Sequence, residues 1–326
     1  MRPEPLLIAA VASLLFAAPP TRAADSSIDY LDVDSKALRK SVRCGVYLPP
    51  GYDASGDVRY PTLVFLHGMR GSERKWENRG VGERLDALIE KGVVDPMIVV
   101  CPNGENSMYV NWRNGKADWA DFVRRDLVEW VDARYRTVAD RSGRGLTGDS
   151  MGGYGALNIA FQHPDVFGSV SAHSAALYPV DPDDLPEWIK RMADRWGPVY
   201  GSPVDVDHWR GNNPLHLAAT QEAESLRSLS IYFDCGDRDR YGFDSSNVDL
   251  DGILDDRDVP HEFHLRDGGH GREYFEAYVT KSLEFHGRVF RASAAPRPGA
   301  DEGDEGDAED AEEEAPPDEA PARREF

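Results

Sequence analysis

The chain has 326 residues and a formal net charge of −21 at pH 7, because 58 Asp and Glu residues outnumber 37 Lys and Arg residues. An acidic surface repels polyphosphate and anionic lipid, so the charge argues against nucleic acid as a partner. Residues 24–291 are long enough for one large domain with a sizeable apolar interior.

Residues 1–23 have the layout of a secretory signal peptide. Arg2 precedes an apolar run at 6–18, and residues 21–23 offer a small-residue cleavage site. About a dozen apolar residues cannot span a bilayer that needs roughly 20, so a membrane anchor is the weaker interpretation. We therefore predict an exported protein, secreted or periplasmic, that is not attached to a membrane after signal cleavage.

Residues 292–326 have the composition of a tail rather than of a folded domain. They contain thirteen Asp or Glu, three Arg, many Ala and Pro, and a single aromatic residue. Such a segment cannot bury enough apolar area to offset its ordering entropy. We predict an acidic, disordered tail.

Between these ends, apolar runs typical of buried strands alternate with segments of helical period. The predicted strands are 42–48, 61–66, 97–101, a short segment before Gly148, 166–172, 231–235 and 261–265. The predicted helices are 81–89, 122–135, the segment after Ser150, and 274–285. This alternation predicts an α/β fold with a mostly parallel, doubly wound sheet. Residues 144–147 fit least well, because they are polar for a central strand.

Residues 178–229 interrupt the alternation and predict a helical insertion between two strands. In such folds ligands bind outside the carboxyl ends of the strands, where long connections collect, so the insertion is a candidate cover over the pocket. Trp112, in a loop after the strand 97–101, is a further candidate for lining the pocket. A packed loop tryptophan is its alternative interpretation.

We predict neither a metal nor a cofactor. Cys44, Cys101 and Cys235 each lie in an apolar strand-like run, and we interpret them as three buried thiols rather than as a disulfide and one thiol. Residues 247–258 imitate a calcium loop, but Asn replaces its first Asp and Asp replaces its bidentate Glu. Their apolar residues share a helix face, so we predict a helix.

The strongest motif is a G-x-S-x-G at 148–152, with Ser150 at its centre. A predicted strand precedes it and a small-residue helix follows, which is the context of a nucleophile elbow. That turn strains the serine backbone and requires small neighbours. It also places the serine at a helix N-terminus, whose free N–H groups favour a developing oxyanion. The context favours a nucleophile over a turn without chemistry.

A serine hydroxyl needs a base, and the base needs an acid that orients it. Where such an elbow occurs, the acid and then the histidine follow the serine along the chain. His264 lies inside a predicted strand, whereas His270 lies on the loop after it, so we predict His270 as the base. Asp237 and Asp239 both follow the strand 231–235, and spacing alone does not choose between them.

Five segments resemble the esterase D family of α/β-hydrolases: 47–52, 66–68, 148–157, 235–239 and 268–270. That family includes feruloyl esterases, S-formylglutathione hydrolases and the antigen 85 mycolyltransferases. The resemblance runs from about residue 42 to 285, and the eight-residue run that starts at Ser150 is specific. It implies an α/β-hydrolase fold, in which the helical insertion inferred above at 178–229 would lie between two strands.

The resemblance also assigns roles to single residues. The acid of the family is usually the third residue after the strand-end glycine, which implies Asp239 and leaves Asp237 as the alternative acid. The N–H groups of Met69 and Met151 would form the oxyanion hole. Asp149 stands where relatives often have an apolar residue, which bears on the polarity of the pocket and makes Asp149 a candidate substrate-binding residue.

Together these features predict a secreted serine esterase that hydrolyses carboxylic esters through a Ser-His-Asp triad and an acyl-enzyme. The resemblance implies a small-molecule or carbohydrate ester as substrate, such as a feruloyl or acetyl ester. One alternative is an acyltransferase of the mycolyltransferase type, which uses the same triad. Another is a non-catalytic binding module on the same fold, which the presence of serine, acid and histidine disfavours.

Overall fold

The computed structural model describes residues 25–52, 54, 56–190 and 193–294. Within them, eight strands form one sheet. They are β1 (Ser27–Ser35), β2 (Lys40–Leu48), β3 (Thr62–Leu66), β4 (Ile98–Pro102), β5 (Arg144–Asp149), β6 (Ser169–His173), β7 (Ser230–Gly236) and β8 (Glu262–Arg266). The strand order is β1-β2-β4-β3-β5-β6-β7-β8. Strands β3 to β8 pair in parallel, and β1 and β2 add an antiparallel edge.

Helices connect these strands. They are α1 (Lys75–Asn78), α2 (Val81–Glu90), α3 (Trp119–Asp121), α4 (Val128–Arg134), α5 (Met151–Gln162), α6 (Glu187–Lys190), α7 (Ala193–Tyr200), α8 (Val206–Gly211), α9 (Pro214–Thr220), α10 (Ala223–Arg227), α11 (Phe243–Asp255) and α12 (Arg272–Ala294). A π-helical segment, Phe122–Leu127, joins α3 to α4. Helices α6 to α10 fall within 178–229, where the sequence predicts a helical insertion.

The parallel strands are apolar because both faces of the sheet are covered. Side chains alternate between the faces along a strand. Leu63 and Phe65 of β3 pack in one cluster with residues of α2 and α12. Val64 and Leu66 pack in the other cluster, with α5, α9 and α11. The predicted mostly parallel α/β sheet is therefore confirmed.

Two parts of the sheet differ from a simple apolar pattern. Strand β1, which pairs with β2 over nine residue pairs, was not predicted, because its alternation is dominated by acidic and hydroxyl residues. The polar residues of β5 have partners that explain them: Arg144 forms an ion pair with Asp132, and Thr147 accepts a hydrogen bond from Ser171 at 2.7 Å.

The predicted signal segment, 1–23, lies outside the described residues, as does the predicted tail from residue 295 onward. Helix α12 continues to Ala294, so residues 292–294 are helical, and the predicted start of the tail at 292 is too early. Within the described ranges, no helix combines the length and the apolar character that crossing a bilayer requires.

Two predictions about local chemistry are confirmed. Cys44, Cys101 and Cys235 are buried free thiols, and burial raises the pKa of each thiol. Most of the segment that imitates a calcium loop forms the second half of helix α11.

Candidate active site

Ser150 lies in the turn between β5 and α5, at the carboxyl edge of the sheet. Its backbone has φ +53° and ψ −117°, a left-handed conformation that is strained for a serine. Hydrogen bonds hold it there: its N–H donates to His173 O at 2.9 Å, and its carbonyl accepts from Ala176 N at 3.0 Å. This backbone conformation directs the side chain out of the turn, at the N-terminus of α5.

The flanking glycines are required by close packing. A Cβ atom on Gly152 would lie 1.8 Å from the carbonyl oxygen of Leu66, and one on Gly148 would lie 2.3 Å from the Gly152 backbone. The first turn of α5 is thereby pressed against the end of β3. The segment after β3 and the segment after β5 consequently meet at the point where the strand order reverses, the usual ligand position in such sheets.

His270 lies on the loop after β8 and joins Ser150 to Asp239. Its Nε2 atom is 3.0 Å from Ser150 Oγ, and its Nδ1 atom is 2.7 Å from Asp239 Oδ2. The Asp239 side chain is fully buried, and its other oxygen accepts the N–H of Tyr241 at 2.9 Å. Serine, imidazole and carboxylate thus form one hydrogen-bonded chain.

The alternative candidates for the acid and the base, Asp237 and His264, lie away from Ser150. Asp237 is exposed, and its carboxylate accepts the Gly268 N–H at 3.1 Å and pairs with Arg238 at 3.3 Å. His264 is exposed on β8, with its ring packed 5.7 Å from that of Tyr232. Neither lines the cavity beside Ser150.

The backbone N–H groups of Met69 and Met151 are the predicted donors of the oxyanion hole. Among the described residues, neither N–H donates a hydrogen bond, and both residues line the cavity that contains Ser150. Met151 is the first residue of α5, where N–H groups have no partner within the helix. Two unpaired donors next to a serine can bind an oxygen that carries negative charge.

His67 fixes the segment that carries Met69. Its Nε2 atom accepts the Gly104 N–H at 2.9 Å, so its Nδ1 atom carries the proton and donates it to Gly68 O at 2.8 Å. Burial lowers the pKa of His67, although the Gly68 carbonyl, Asp149 and Glu73 act in the opposite direction. A neutral imidazole suits this pair of bonds, because one nitrogen accepts while the other donates.

Asp149, which directly precedes Ser150, lines the cavity. Its Oδ1 atom accepts the Gly68 N–H at 3.1 Å, and its other oxygen pairs with Lys75. Both side chains are about 15% exposed, at 14% for Lys75 and 15% for Asp149. Asp149 therefore anchors the Met69 segment through Gly68 and is neutralised by Lys75.

The cavity beside Ser150 has a volume of about 470 Å³. Five aromatic side chains line it, from the insertion and from the segment after β7: Tyr178, Trp188, Trp196, Tyr241 and Phe243. The prediction that Trp112 lines the pocket is wrong, because Trp112 lies against the main core cluster with its indole N–H donated to Ser107 O at 3.3 Å. Among the described residues, no group of three or more His, Cys, Asp or Glu side chains has the arrangement of a metal site.

Comparison with known proteins identifies the family. The model of a family named Esterase, described as "Putative esterase", matches residues 35–286. The chain belongs to this esterase family. The resemblance inferred from the sequence motifs is therefore confirmed.

Individual relatives agree with this assignment. An esterase of Mycobacterium tuberculosis is 28% identical over 266 residues, which cover 76% of this chain and 56% of the relative, so the chain spans little more than half of that protein. An acetyl esterase of Caldicellulosiruptor saccharolyticus is 26% identical, over 78% of this chain and 96% of the relative. A solved ferulic acid esterase has a TM-score of 0.70 and 27% identity, over 82% of this chain and 99% of that one. The α/β-hydrolase fold is confirmed by these similarities.

The chain also has a buried polar cluster that the sequence motifs did not reveal. The carboxylate of Asp234 lies 3.0 Å from His173 Nδ1 and accepts the hydroxyl groups of Tyr232 and Tyr274, at 2.7 and 2.8 Å. Burial alone would raise the pKa of Asp234, but His173 and these hydroxyl groups lower it below its usual value. His173, the last residue of β6, pairs in register with Asp234 of β7, so the cluster fixes the carboxyl-end halves of two strands that precede the site. One feature of the sequence could have indicated this cluster: an acidic residue, Asp234, lies inside the otherwise apolar predicted strand 231–235.

Proposed function

We propose that this esterase hydrolyses carboxylic esters through a covalent acyl-enzyme, with Ser150 as the nucleophile. The observation that carries the proposal is the continuous hydrogen-bonded chain from Asp239 through His270 to Ser150 Oγ. Ser150 and His270 line a cavity that is also lined by Met69 and Met151, the two residues with unpaired N–H groups.

In the first half of the reaction, Ser150 Oγ attacks the ester carbonyl carbon, and His270 Nε2 takes the hydroxyl proton. Asp239 accepts a hydrogen bond from Nδ1–H of His270. This bond keeps the imidazole in the tautomer whose Nε2 can accept a proton, and it stabilises the imidazolium that forms. The N–H groups of Met69 and Met151 hold the oxyanion. When the tetrahedral intermediate collapses, His270 gives the proton to the leaving alcohol.

In the second half, water takes the place of the alcohol. His270 removes a proton from the water, the hydroxide attacks the acyl carbonyl, and Ser150 leaves with that proton. Ser150 is partly exposed, so water reaches it. Every proton is returned, and these steps need no cofactor.

The substrates we propose are acetyl or feruloyl esters, including those of carbohydrates. The two relatives named acetyl esterase and ferulic acid esterase support this choice. The aromatic side chains of the cavity support it independently, because aromatic faces pack against sugar rings and aromatic acyl groups. We further propose that 1–23 is a cleaved export signal, that the esterase domain extends from residue 24 to the end of α12 at Ala294, and that an acidic tail follows it. The mature enzyme would then act outside the cytoplasm.

A fluorophosphonate probe tests the proposed function directly. It should label the purified protein once, at Ser150, and Ser150→Ala should abolish both labelling and hydrolysis of 4-nitrophenyl acetate. His270→Ala should remove nearly all activity, whereas His264→Ala, on the exposed face of β8, should retain it. Labelling that persists in Ser150→Ala would refute the nucleophile.

A further inference from the structure

The cavity beside Ser150 is positively charged, although the chain as a whole is acidic. Among its described lining residues, four are basic, and Asp149 is acidic. The basic residues are Arg70, Lys75, Arg79 and Arg240. Lys75 forms an ion pair with Asp149, and Arg79 forms a longer one with Glu276, at 3.7 Å. Arg70 and Arg240 therefore account for most of the excess charge.

Arg79 has a donor that the protein does not satisfy. Its Nη1 atom is buried and has no hydrogen-bond partner among the described residues. The carboxylate beside it, that of Glu276, is 3.7 Å away, beyond hydrogen-bond distance, and its nearer oxygen accepts the Nε–H of Arg272 at 2.6 Å. The Arg79 side chain lines the cavity and is 23% exposed, so the accessible part of its guanidinium can meet an anion bound there.

Arg70 and Arg240 lie on two different segments of the cavity wall. Arg70 directly follows Met69, which places it on the side of the proposed oxyanion hole. Arg240 directly follows the proposed acid Asp239, and its guanidinium contacts the ring and hydroxyl of Tyr241. Within the described part of the chain, neither guanidinium forms an ion pair with a carboxylate. Both remain available to an anion in the cavity.

We propose that the substrate of this esterase carries a carboxylate in addition to its ester group, and that Arg79, with Arg70 and Arg240, binds that carboxylate. The inference rests on the proposed function and narrows its substrate class. Arginine suits this role because its planar fork of donors matches a carboxylate. The net charge of −21 repels anions at long range. At physiological salt that repulsion is screened within about 8 Å, whereas contacts inside the cavity are not.

Two pairs of esters test the inference and locate the carboxylate. Mono-(4-nitrophenyl) adipate and its methyl ester differ by a charge on the acyl side, and 4-acetoxybenzoate and its methyl ester differ by a charge on the alcohol side. In one of the two pairs, kcat/KM should be at least about fivefold higher for the charged ester. Equal values, or a preference for the neutral ester in both pairs, would overturn the inference.

Substitutions then assign the effect to the arginines. Arg79→Gln should lower the charged-to-neutral ratio of kcat/KM about tenfold, and Arg240→Gln about threefold. Arg240 is exposed, so its replacement does not threaten the fold. Arg238→Gln is the matched control, because Arg238 lies on the same loop, pairs with Asp267 and does not line the cavity. Wild-type ratios in both Arg79→Gln and Arg240→Gln would refute the assignment.

The outcomes separate this inference from the function on which it rests. Hydrolysis of all four esters without a charge preference overturns the carboxylate site and leaves the esterase intact. Failure to hydrolyse any of them, together with no labelling at Ser150, overturns the proposed function and the carboxylate site with it.

Discussion

The Oδ2 atom of Asp239 lies 2.7 Å from Nδ1 of His270, whereas the carboxylate of Asp237, two residues earlier, accepts the backbone N–H of Gly268. Both residues follow strand β7, but the Asp239 side chain is fully buried and that of Asp237 is 40% exposed. A buried carboxylate held by a second donor, the N–H of Tyr241, keeps one orientation. Asp239 is therefore the residue positioned to orient the imidazole.

Asp239→Asn should lower kcat for 4-nitrophenyl acetate by about 10³- to 10⁴-fold, because an amide in this place favours the wrong imidazole tautomer. Asp237→Asn is the matched control and should lower kcat less than about tenfold, since it weakens one hydrogen bond to the loop that carries His270. Steady-state kinetics of the two variants checks this. The reverse ranking would show that Asp237 is the orienting acid.

His67→Gln should lower kcat by about 10- to 100-fold with a smaller change in KM, as loss of an oxyanion donor does. The reason is geometric: without the imidazole between Gly104 and Gly68, the Met69 N–H is no longer held toward the carbonyl oxygen. The measurement is kcat and KM for a neutral aryl ester, with circular dichroism to verify folding. An increase in KM at unchanged kcat would show that His67 acts on ground-state binding instead.

Gly152→Ala should destabilise the fold by about 1–3 kcal/mol or more, because the new Cβ atom would overlap the Leu66 carbonyl. Gly252→Ala is the matched control: it is an exposed glycine within helix α11, and its Cβ atom would meet nothing within 4 Å. That change should be neutral or stabilise by about 0.5–1 kcal/mol. Urea unfolding of both variants checks the pair, and equal stabilities would contradict the close packing at the elbow.

The parallel half of the sheet was predictable because burial on both faces requires continuous apolar strands, and those stand out in the sequence. Strand β1 was not, since it lies at the edge and exposes polar side chains. The segment 144–147 looked too polar for a central strand. Its partners Asp132 and Ser171 lie 12 and 24 residues away in the chain, where a local pattern cannot reveal them.

In the proposed site, too, some residues could be predicted from the sequence and others could not. Ser150 and His270 follow from short motifs at strand ends, because the topology brings those ends together. The choice of Asp239 over Asp237 depended on resemblance, since burial is not visible in the spacing. Trp112 failed as a pocket residue because the course of its loop is set by tertiary packing. The Lys75–Asp149 pair joins residues 74 positions apart and could be identified from the structure alone.

The last prediction concerns the pH dependence of stability and follows from His286. This histidine is fully buried between the hydroxyl groups of Ser169 and Ser171, at 2.8 and 2.9 Å. Burial, with a smaller effect of His173, lowers its pKa to about 3. In the unfolded chain a histidine titrates at about pH 6.5. Below that pH the unfolded state therefore binds the additional proton, and the folded state loses stability as the pH falls.

From this group alone, the free energy of unfolding should fall by about 2 kcal/mol between pH 7 and pH 5, and it should not change above pH 7. His67, whose pKa is also lowered by burial, acts with the same sign. His286→Gln should reduce the loss between pH 7 and pH 5 by about 2 kcal/mol, even though the variant is less stable at pH 7. His264→Gln, which changes an exposed histidine, should show the wild-type loss. Urea unfolding at pH 5, 6 and 7 measures all three proteins, and a wild-type loss in His286→Gln would show that His286 is not the group that titrates.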